Sequence, residues 1–340
     1  MTNRVPLLFG PGLFGQSGAP GVRTTDPAEA QHILDVFFAH GHNELDTARG
    51  YGGGTSEPFL AALTLKDGTI VDTKVAPSTP GDHKPHRLRQ IFQESLNIFN
   101  PRGIKIRILY LHAPDRTVPF KETVAELNAM HKDGLYEQFG LSNFAAWEVA
   151  EIYTTCKERG YVLPTVYQGS YNLLARSIEP ELVPCLRKFR IRLIVWNPLA
   201  GGFLTGKFLS LQDAVSAEKG GRFDKDTAYG RHFSKMYMND ENIRALRMVH
   251  EAVAKEHLTM AEVALRWLQH HSVLTPEDGI ILGASNASQL ESNLADSEKG
   301  PLPDTILPVI QRAWRIVAPV AASYWYPFPR TKSTLLKSLL

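Results

Sequence analysis

Thr69-Ile70-Val71-Asp72-Thr73-Lys74 and Arg107-Ile108-Leu109-Tyr110-Leu111-His112 decide how this chain reads. Each is a short run of branched and aromatic apolar residues with little alternation, too brief for a helix and closed by a polar side chain. Strands covered on both faces look like this, and such strands belong to parallel sheets. Six more runs of the same kind lie at residues 5–9, 43–46, 137–141, 165–168, 192–196 and 279–282, which brings the number to eight.

Amphipathic helical patterns fill the intervals. In Asp26-Pro27-Ala28-Glu29, Asp26 can cap, Pro27 suits the first helical position and Glu29 can reach back, while Gly41 closes the helix. Asn143 is expected to cap a helix running to about Arg159, with Gly160 beyond it, and Thr259-Met260-Ala261-Glu262 reads as a capping box ahead of the apolar stripe Val263, Trp267. Repeated strand–helix units imply right-handed crossovers, and eight of them in about 300 residues favour a closed (β/α)8 TIM barrel over an open doubly wound sheet. No linker divides the chain, so residues 1–340 are read as one barrel domain. Residues 201–240, after the seventh strand, form too long an interval for an ordinary connection and predict a binding lid. From Gly300, prolines lead into a helical segment at 310–317, and aromatics then cluster at Tyr324, Trp325, Tyr326 and Phe328, in a tail over the barrel mouth.

Composition narrows the partners. Lys and Arg total 37 against 35 Asp and Glu, a net charge of +2, so no basic field marks a nucleic-acid or membrane-surface binder. A small molecule is the expected partner, and a homodimer is admitted. The two cysteines, Cys156 and Cys185, form neither a disulfide framework nor a CxxC metal motif. Residues 1–6 lack the apolar core of a signal peptide and no run reaches about 18 apolar residues, which together predict a soluble, cytoplasmic protein. Lys337-Ser338-Leu339-Leu340 falls short of the Ser-Lys-Leu peroxisomal address.

Gly10-Pro11-Gly12-Leu13-Phe14-Gly15 satisfies the GxGxxG spacing of a dinucleotide fold. The following Gln16-Ser17-Gly18-Ala19-Pro20-Gly21 cannot open the helix that would hold a pyrophosphate, and no second strand ends on an acid about 20 residues later. The motif is read as a turn over the barrel mouth.

In a barrel of this kind the chemistry sits where strands end. Asp46, Lys74 and His112 end the second, third and fourth runs, and Tyr51 follows in the turn Gly50-Tyr51-Gly52-Gly53-Gly54. Taken singly these are a turn acid, a surface lysine, a core histidine and a loop aromatic. Together they supply a proton donor, a cation to strengthen it, a carboxylate to hold the cation and a neutral donor for a carbonyl. Lys and Tyr are poor companions for zinc ligands, so no metal is expected.

Asp46-Thr47-Ala48 with Tyr51, Asp72-Thr73-Lys74, and Leu109-Tyr110-Leu111-His112 resemble the Asp, Tyr, Lys, His tetrad of the aldo-keto reductases. The likeness continues through Gly140-Leu141-Ser142-Asn143, Tyr167-Gln168, Trp196-Asn197-Pro198-Leu199-Ala200-Gly201-Gly202 and Ile281-Leu282-Gly283-Ala284-Ser285 to Asn293. Thr205-Gly206-Lys207, Gly221-Arg222-Phe223 and Gln289-Leu290-Glu291-Ser292-Asn293-Leu294 are similar to the aflatoxin-aldehyde reductase branch. The resemblance implies NADPH as cofactor. Ser142, Asn143 and Gln168 would hold the nicotinamide carboxamide and Trp196 would stack on the ring. Asn197, Pro198, Leu199, Gly201 and Lys207 would wrap the pyrophosphate. Ser285, Gln289 and Asn293 would bind the adenosine end. Residues 281–293 contain no Lys or Arg, so Arg222 is the expected cation for the 2′-phosphate. Tyr229 and Arg231 would reach the substrate and favour carbonyl compounds bearing a carboxylate.

The implied reaction is reduction of an aldehyde or ketone, Tyr51 protonating the developing alkoxide while Lys74 lowers the phenol's pKa and His112 positions the oxygen. A tailoring reductase with one elaborate substrate, or a non-catalytic nucleotide sensor, would share the fold.

Overall fold

The computed structural model describes residues 5–214 and 219–326. Strands and helices alternate from the start: β1 Leu7–Phe9, α1 Pro27–Ala39, β2 Glu44–Asp46, α2 Ser56–Ala62, β3 Ile70–Val75, α3 Pro85–Phe99, β4 Ile106–Leu111 and α4 Phe120–Lys132. The pattern continues through β5 Gln138–Ser142, α5 Ala146–Arg159, β6 Pro164–Ser170, α6 Leu182–Phe189 and β7 Arg192–Trp196. Three helices, α7 Ala228–Tyr237, α8 Asp240–Lys255 and α9 Met260–His270, precede β8 Gly279–Leu282, and α10 Ala287–Glu298 and α11 Leu307–Val317 end the series. All eight expected strands form, pair in parallel in chain order, and close through Leu7 opposite Ile280.

Alternation along the strands sorts two cores. Leu7 and Phe9 point outward to the helices, whereas Leu8 joins Ile108, Tyr110, Val166, Ile194 and Ile281 inside the barrel. The Tyr110 ring occupies its place because Gly140 lies opposite: a Cβ on Gly140 would stand 2.3 Å from it. At the N-terminal end, Arg107 grips Asp72 through Nε at 2.9 Å and a second nitrogen at 2.5 Å, and also reaches Glu44 at 2.7 Å. That network closes the barrel floor. Burial pushes the Asp72 carboxyl up to about 6 even against Arg107.

Several helix ends differ from expectation. Asp26 caps α1 by accepting from the Ala28 N–H at 3.0 Å, and Thr259 accepts from Glu262 N–H at 3.1 Å. Glu262 spends its carboxylate on Arg266 and Lys299, so only half of that capping box forms. Asn143 does not cap α5. It adopts φ +63 and donates Nδ2 to the His112 carbonyl at 2.8 Å, and Glu148 instead accepts from the Ala145 N–H at the helix start. The stretch 201–240, expected to be irregular, contains α7, with Phe233 and Tyr237 buried one helical turn apart. Gly10 to Gly15 forms a turn, as expected, and a Cβ on Gly12 would stand 3.1 Å from the Tyr51 ring. Among the described residues no helix is long and apolar enough to cross a membrane. Phe328 and residues 337–340 lie outside the described residues.

Candidate active site

β3 delivers Lys74 into the barrel at the end where the helices begin. Its ammonium, wholly buried, donates to Asp46 Oδ2 at 2.5 Å and to the Thr47 carbonyl at 2.8 Å. Burial works against the charge of Lys74, but Asp46 and Tyr51 more than offset it, and its pKa is raised. Lys74 is therefore a permanent cation at neutral pH, held where an isolated charge would cost several kcal/mol.

Tyr51 lies above it, the ammonium 5.1 Å from the ring centroid. The turn that presents the phenol needs left-handed backbone at Gly52, φ +58, where a Cβ would also meet Thr55 Oγ1 at 2.7 Å. Burial pushes the Tyr51 hydroxyl above its ordinary value although Lys74 pulls it down. This corrects the expectation of a lowered pKa: the cation's pull is present, and desolvation exceeds it. The phenol thus stays protonated at neutral pH.

His112 meets Tyr51 edge to face, ring centroids 5.6 Å apart at 79°. Burial and the charge of Lys74 push its imidazole down to about 3, so it is neutral at physiological pH. Its Nδ1 is buried without a partner among the described residues. Orphaned N–H groups are rarer than orphaned acceptors, so the hydrogen is assigned to Nε2, which makes that atom the available donor.

Two amides flank the tetrad. Gln168, on β6, donates Nε2 to Asp46 Oδ1 at 2.8 Å, so the Asp46 carboxylate is shared between an amide and the ammonium. Asn143 donates Nδ2 to the His112 carbonyl and, at 3.1 Å, to Ser142 Oγ. Trp196, half-buried at the end of β7, packs its base on the inner barrel cluster. Beyond it the chain turns sharply, with left-handed φ at Asn197, +68, and Gly201, +66. Pro198 is buried, Leu199 packs on the core, and Lys207 is exposed. Ser285 donates Oγ to Gln289 Oε1 at 2.9 Å, and Asn293 is buried beside them on α10.

Two expectations shift in space. The Arg222 guanidinium stacks on the rings of Tyr229, 5.0 Å, and Phe233, 5.7 Å. Burial pushes its pKa down, and the charges that act on it are those of Tyr229, Tyr51 and Arg23, which places it on the Tyr51 side of the mouth. Arg231 is exposed and donates to the Lys225 carbonyl at 3.1 Å. Helical spacing explains this: Tyr229 and Phe233 are four residues apart and share the inner face of α7, and Arg231 falls on the other side.

Sequence reading missed the supports. Glu57, fully buried, pairs with Arg49 and accepts from Thr73 Oγ1 at 2.5 Å and Ser95 Oγ at 2.9 Å, while Arg49 also donates to the Gly54 carbonyl at 2.5 Å. This network fixes the turn carrying Tyr51. Tyr237 accepts from Asn197 Nδ2 at 2.8 Å and Asn172 Nδ2 at 3.1 Å, holding the turn after β7. The tail crosses the mouth: Tyr326 donates its N–H to the Asn143 carbonyl at 3.1 Å, and Tyr324 bridges the Ala146 N–H and Glu181. Arg49, one residue from Thr47-Ala48, was the one visible signal for these supports.

The family model described as "Aldo/keto reductase family" matches residues 6–315. The chain is 39% identical to "Aldo-keto reductase pigE" of Monascus ruber, over 95% of this chain and 98% of that protein. It is 40% identical to "Aflatoxin B1 aldehyde reductase member 2" of Rattus norvegicus, over 89% and 84%, and 33% identical to "Oxidoreductase sirO" of Leptosphaeria maculans, over 94% and 96%. With the tetrad assembled at the mouth of a closed eight-stranded barrel, the chain belongs to the aldo/keto reductase family.

Proposed function

We propose that the protein uses NADPH to reduce aldehydes or ketones, with Tyr51 as general acid and a cytoplasmic setting. The observation that carries this is the buried Lys74 ammonium, held by Asp46 beneath the Tyr51 phenol. The two free cysteines suit a reducing compartment.

The residues present fit a nicotinamide. Asn143 and Gln168 spend their N–H groups on protein acceptors, and no donor among the described residues engages Asn143 Oδ1 or Gln168 Oε1. Two unused amide oxygens suit a primary carboxamide, with Ser142 beside them and Trp196 as a platform. The glycine turn at 201–202 and Asn197 to Leu199 would take the pyrophosphate, and Ser285, Gln289 and Asn293 the adenosine end. When bound, the cofactor supplies a hydride, that is, the electron pair.

The chain's own residues do the rest. His112 Nε2–H hydrogen-bonds the substrate carbonyl oxygen and fixes its direction toward Tyr51. Tyr51 donates its proton to that oxygen as negative charge develops, and the phenolate left behind is stabilised by Lys74. Asp46 keeps Lys74 oriented, and Gln168 fixes the second oxygen of Asp46. With the hydride that the cofactor would supply, the Tyr51 proton completes the conversion of C=O to CH–OH, and the phenolate regains its proton from water.

Tyr229 and Arg222 are within electrostatic reach of Tyr51, and Arg222 has no acidic partner among the described residues. Steady-state rates with an aldehyde panel, each with NADPH and NADH, test the proposal. A higher kcat/KM with NADPH supports it, and no reduction of any carbonyl overturns it. In Arg222→Ala, a changed cofactor ratio assigns the guanidinium to phosphate. A changed KM confined to acidic aldehydes assigns it to substrate.

A further inference from the structure

His40 follows directly on the last residue of α1 and spans the gap to α10. Its Nδ1 lies 3.0 Å from Glu298 Oε1 and its Nε2 3.1 Å from Glu291 Oε1. Carboxylates only accept, and a neutral imidazole has a single N–H. Both contacts are hydrogen bonds only when the ring carries two hydrogens and a positive charge; in the neutral ring, one lone pair faces a carboxylate. The end of a helix favours a cation as well. Glu291 and Glu298 stand seven residues, about two turns, apart on one face of α10, so a single imidazolium pins two turns of that helix. The side chain is 18% exposed and borders a cleft of about 380 Å³ lined by His32, Asp35, Val36, Ala39 and Glu291, so water reaches it.

We propose that His40 is a proton-operated clamp between α1 and α10, tightening the edge of the barrel that carries Gln289 and Asn293. The link to ligand rests on the reading that α10 holds the adenosine end of NADPH; the clamp itself does not. The charged and titratable groups around His40 are His32 and Asp35 on α1, His42 and Glu44 at the entry to β2, and Glu291 and Glu298 on α10. His42 cannot substitute: burial and the charge of His40 push its pKa down, and it stacks on Phe37 at 5.1 Å. For His40, burial opposes the charge but the two glutamates outweigh it, so its pKa is raised. A raised folded-state value means that the clamp's stabilisation is fully present below the unfolded value of about 6.5 and is lost as pH rises through the folded value.

The test compares the intact protein with His40→Gln and with Glu291→Gln/Glu298→Gln, measuring Tm without cofactor and the Kd for NADPH from pH 5.5 to 9. The parent should lose Tm through the His40 titration, with its excess over His40→Gln vanishing at high pH. Its Kd should rise roughly two- to fivefold over the same range, the scale of an exposed ion pair, and stay level in both variants. An NMR titration of the His40 ring should shift to lower pH in the glutamine double variant. A Tm difference independent of pH, or an unshifted ring titration, overturns the clamp. A pH-dependent Tm difference with a level Kd in the parent overturns the coupling to the ligand edge. Complete failure to bind NADPH, with the Tm step present, contradicts the proposed cofactor and leaves the clamp standing.

Discussion

Asp72 and Lys74 are two residues apart on β3 and are both fully buried in ion pairs, Asp72 toward the floor of the barrel and Lys74 toward its mouth. Asp72, toward the floor, accepts from Arg107 twice and from the Ile108 N–H at 3.1 Å. Lys74, toward the mouth, bonds Asp46 and Thr47 and faces the Tyr51 ring. A buried ion pair is thus not itself a sign of chemistry. What separates the two is whether the pair acts on a group at the strand ends.

The largest effect should follow Lys74→Met. It removes the cation beside Tyr51 and strands Asp46, so kcat should fall by roughly a hundredfold or more, and stability by about 3–5 kcal/mol. Arg107→Met strands Asp72 in the same way and should cost a similar stability in denaturant unfolding, while kcat per folded molecule stays within a few-fold of the parent. Pairing it with Asp72→Leu should recover much of that loss, because an apolar pair leaves no buried charge. A collapse of kcat in folded Arg107→Met would erase the distinction between floor and mouth.

The distinction was partly legible in the sequence. Unalternating runs announced the eight strands, and two of them, Arg192–Trp196 and Gly279–Leu282, have the expected bounds. Strand-end position picked out Asp46, Lys74 and His112, because a barrel's order along the chain is also its order in space. The failures came where long-range contacts decide. Asn143 has the chemistry of a helix cap, but its amide is drawn to the His112 carbonyl at the end of the neighbouring strand. α7 was hidden by Gly230, whose missing Cβ lets Asp224 pack against the helix, a Cβ there standing 1.8 Å from the Asp224 carbonyl oxygen. Glu57 sits in a helix of only seven residues, and nothing local says that its carboxylate is buried.

The mouth should also differ from the floor in its pH response. His112 titrates near 3 and the Tyr51 pKa is raised, so kcat at saturating cofactor should be level between about pH 5 and 9 and fall only on the alkaline side. An acid limb near pH 6 that vanishes in His112→Gln would show that the histidine is charged in the working site. The smallest effect is expected from Arg231→Ala: as an exposed residue bonded to the Lys225 carbonyl, it should alter KM alike for a short aldehyde acid and a neutral aromatic aldehyde. A loss confined to the acid would return Arg231 to the pocket.

The central claim is that Tyr51 gives up the proton, and Tyr51→Phe tests it most directly, since the ring and its contact with His112 remain and only the hydroxyl is lost. Turnover of a good aldehyde substrate should drop by roughly a hundredfold or more, with Tm and NADPH affinity close to the parent's. Near-normal kcat in that variant would contradict the account.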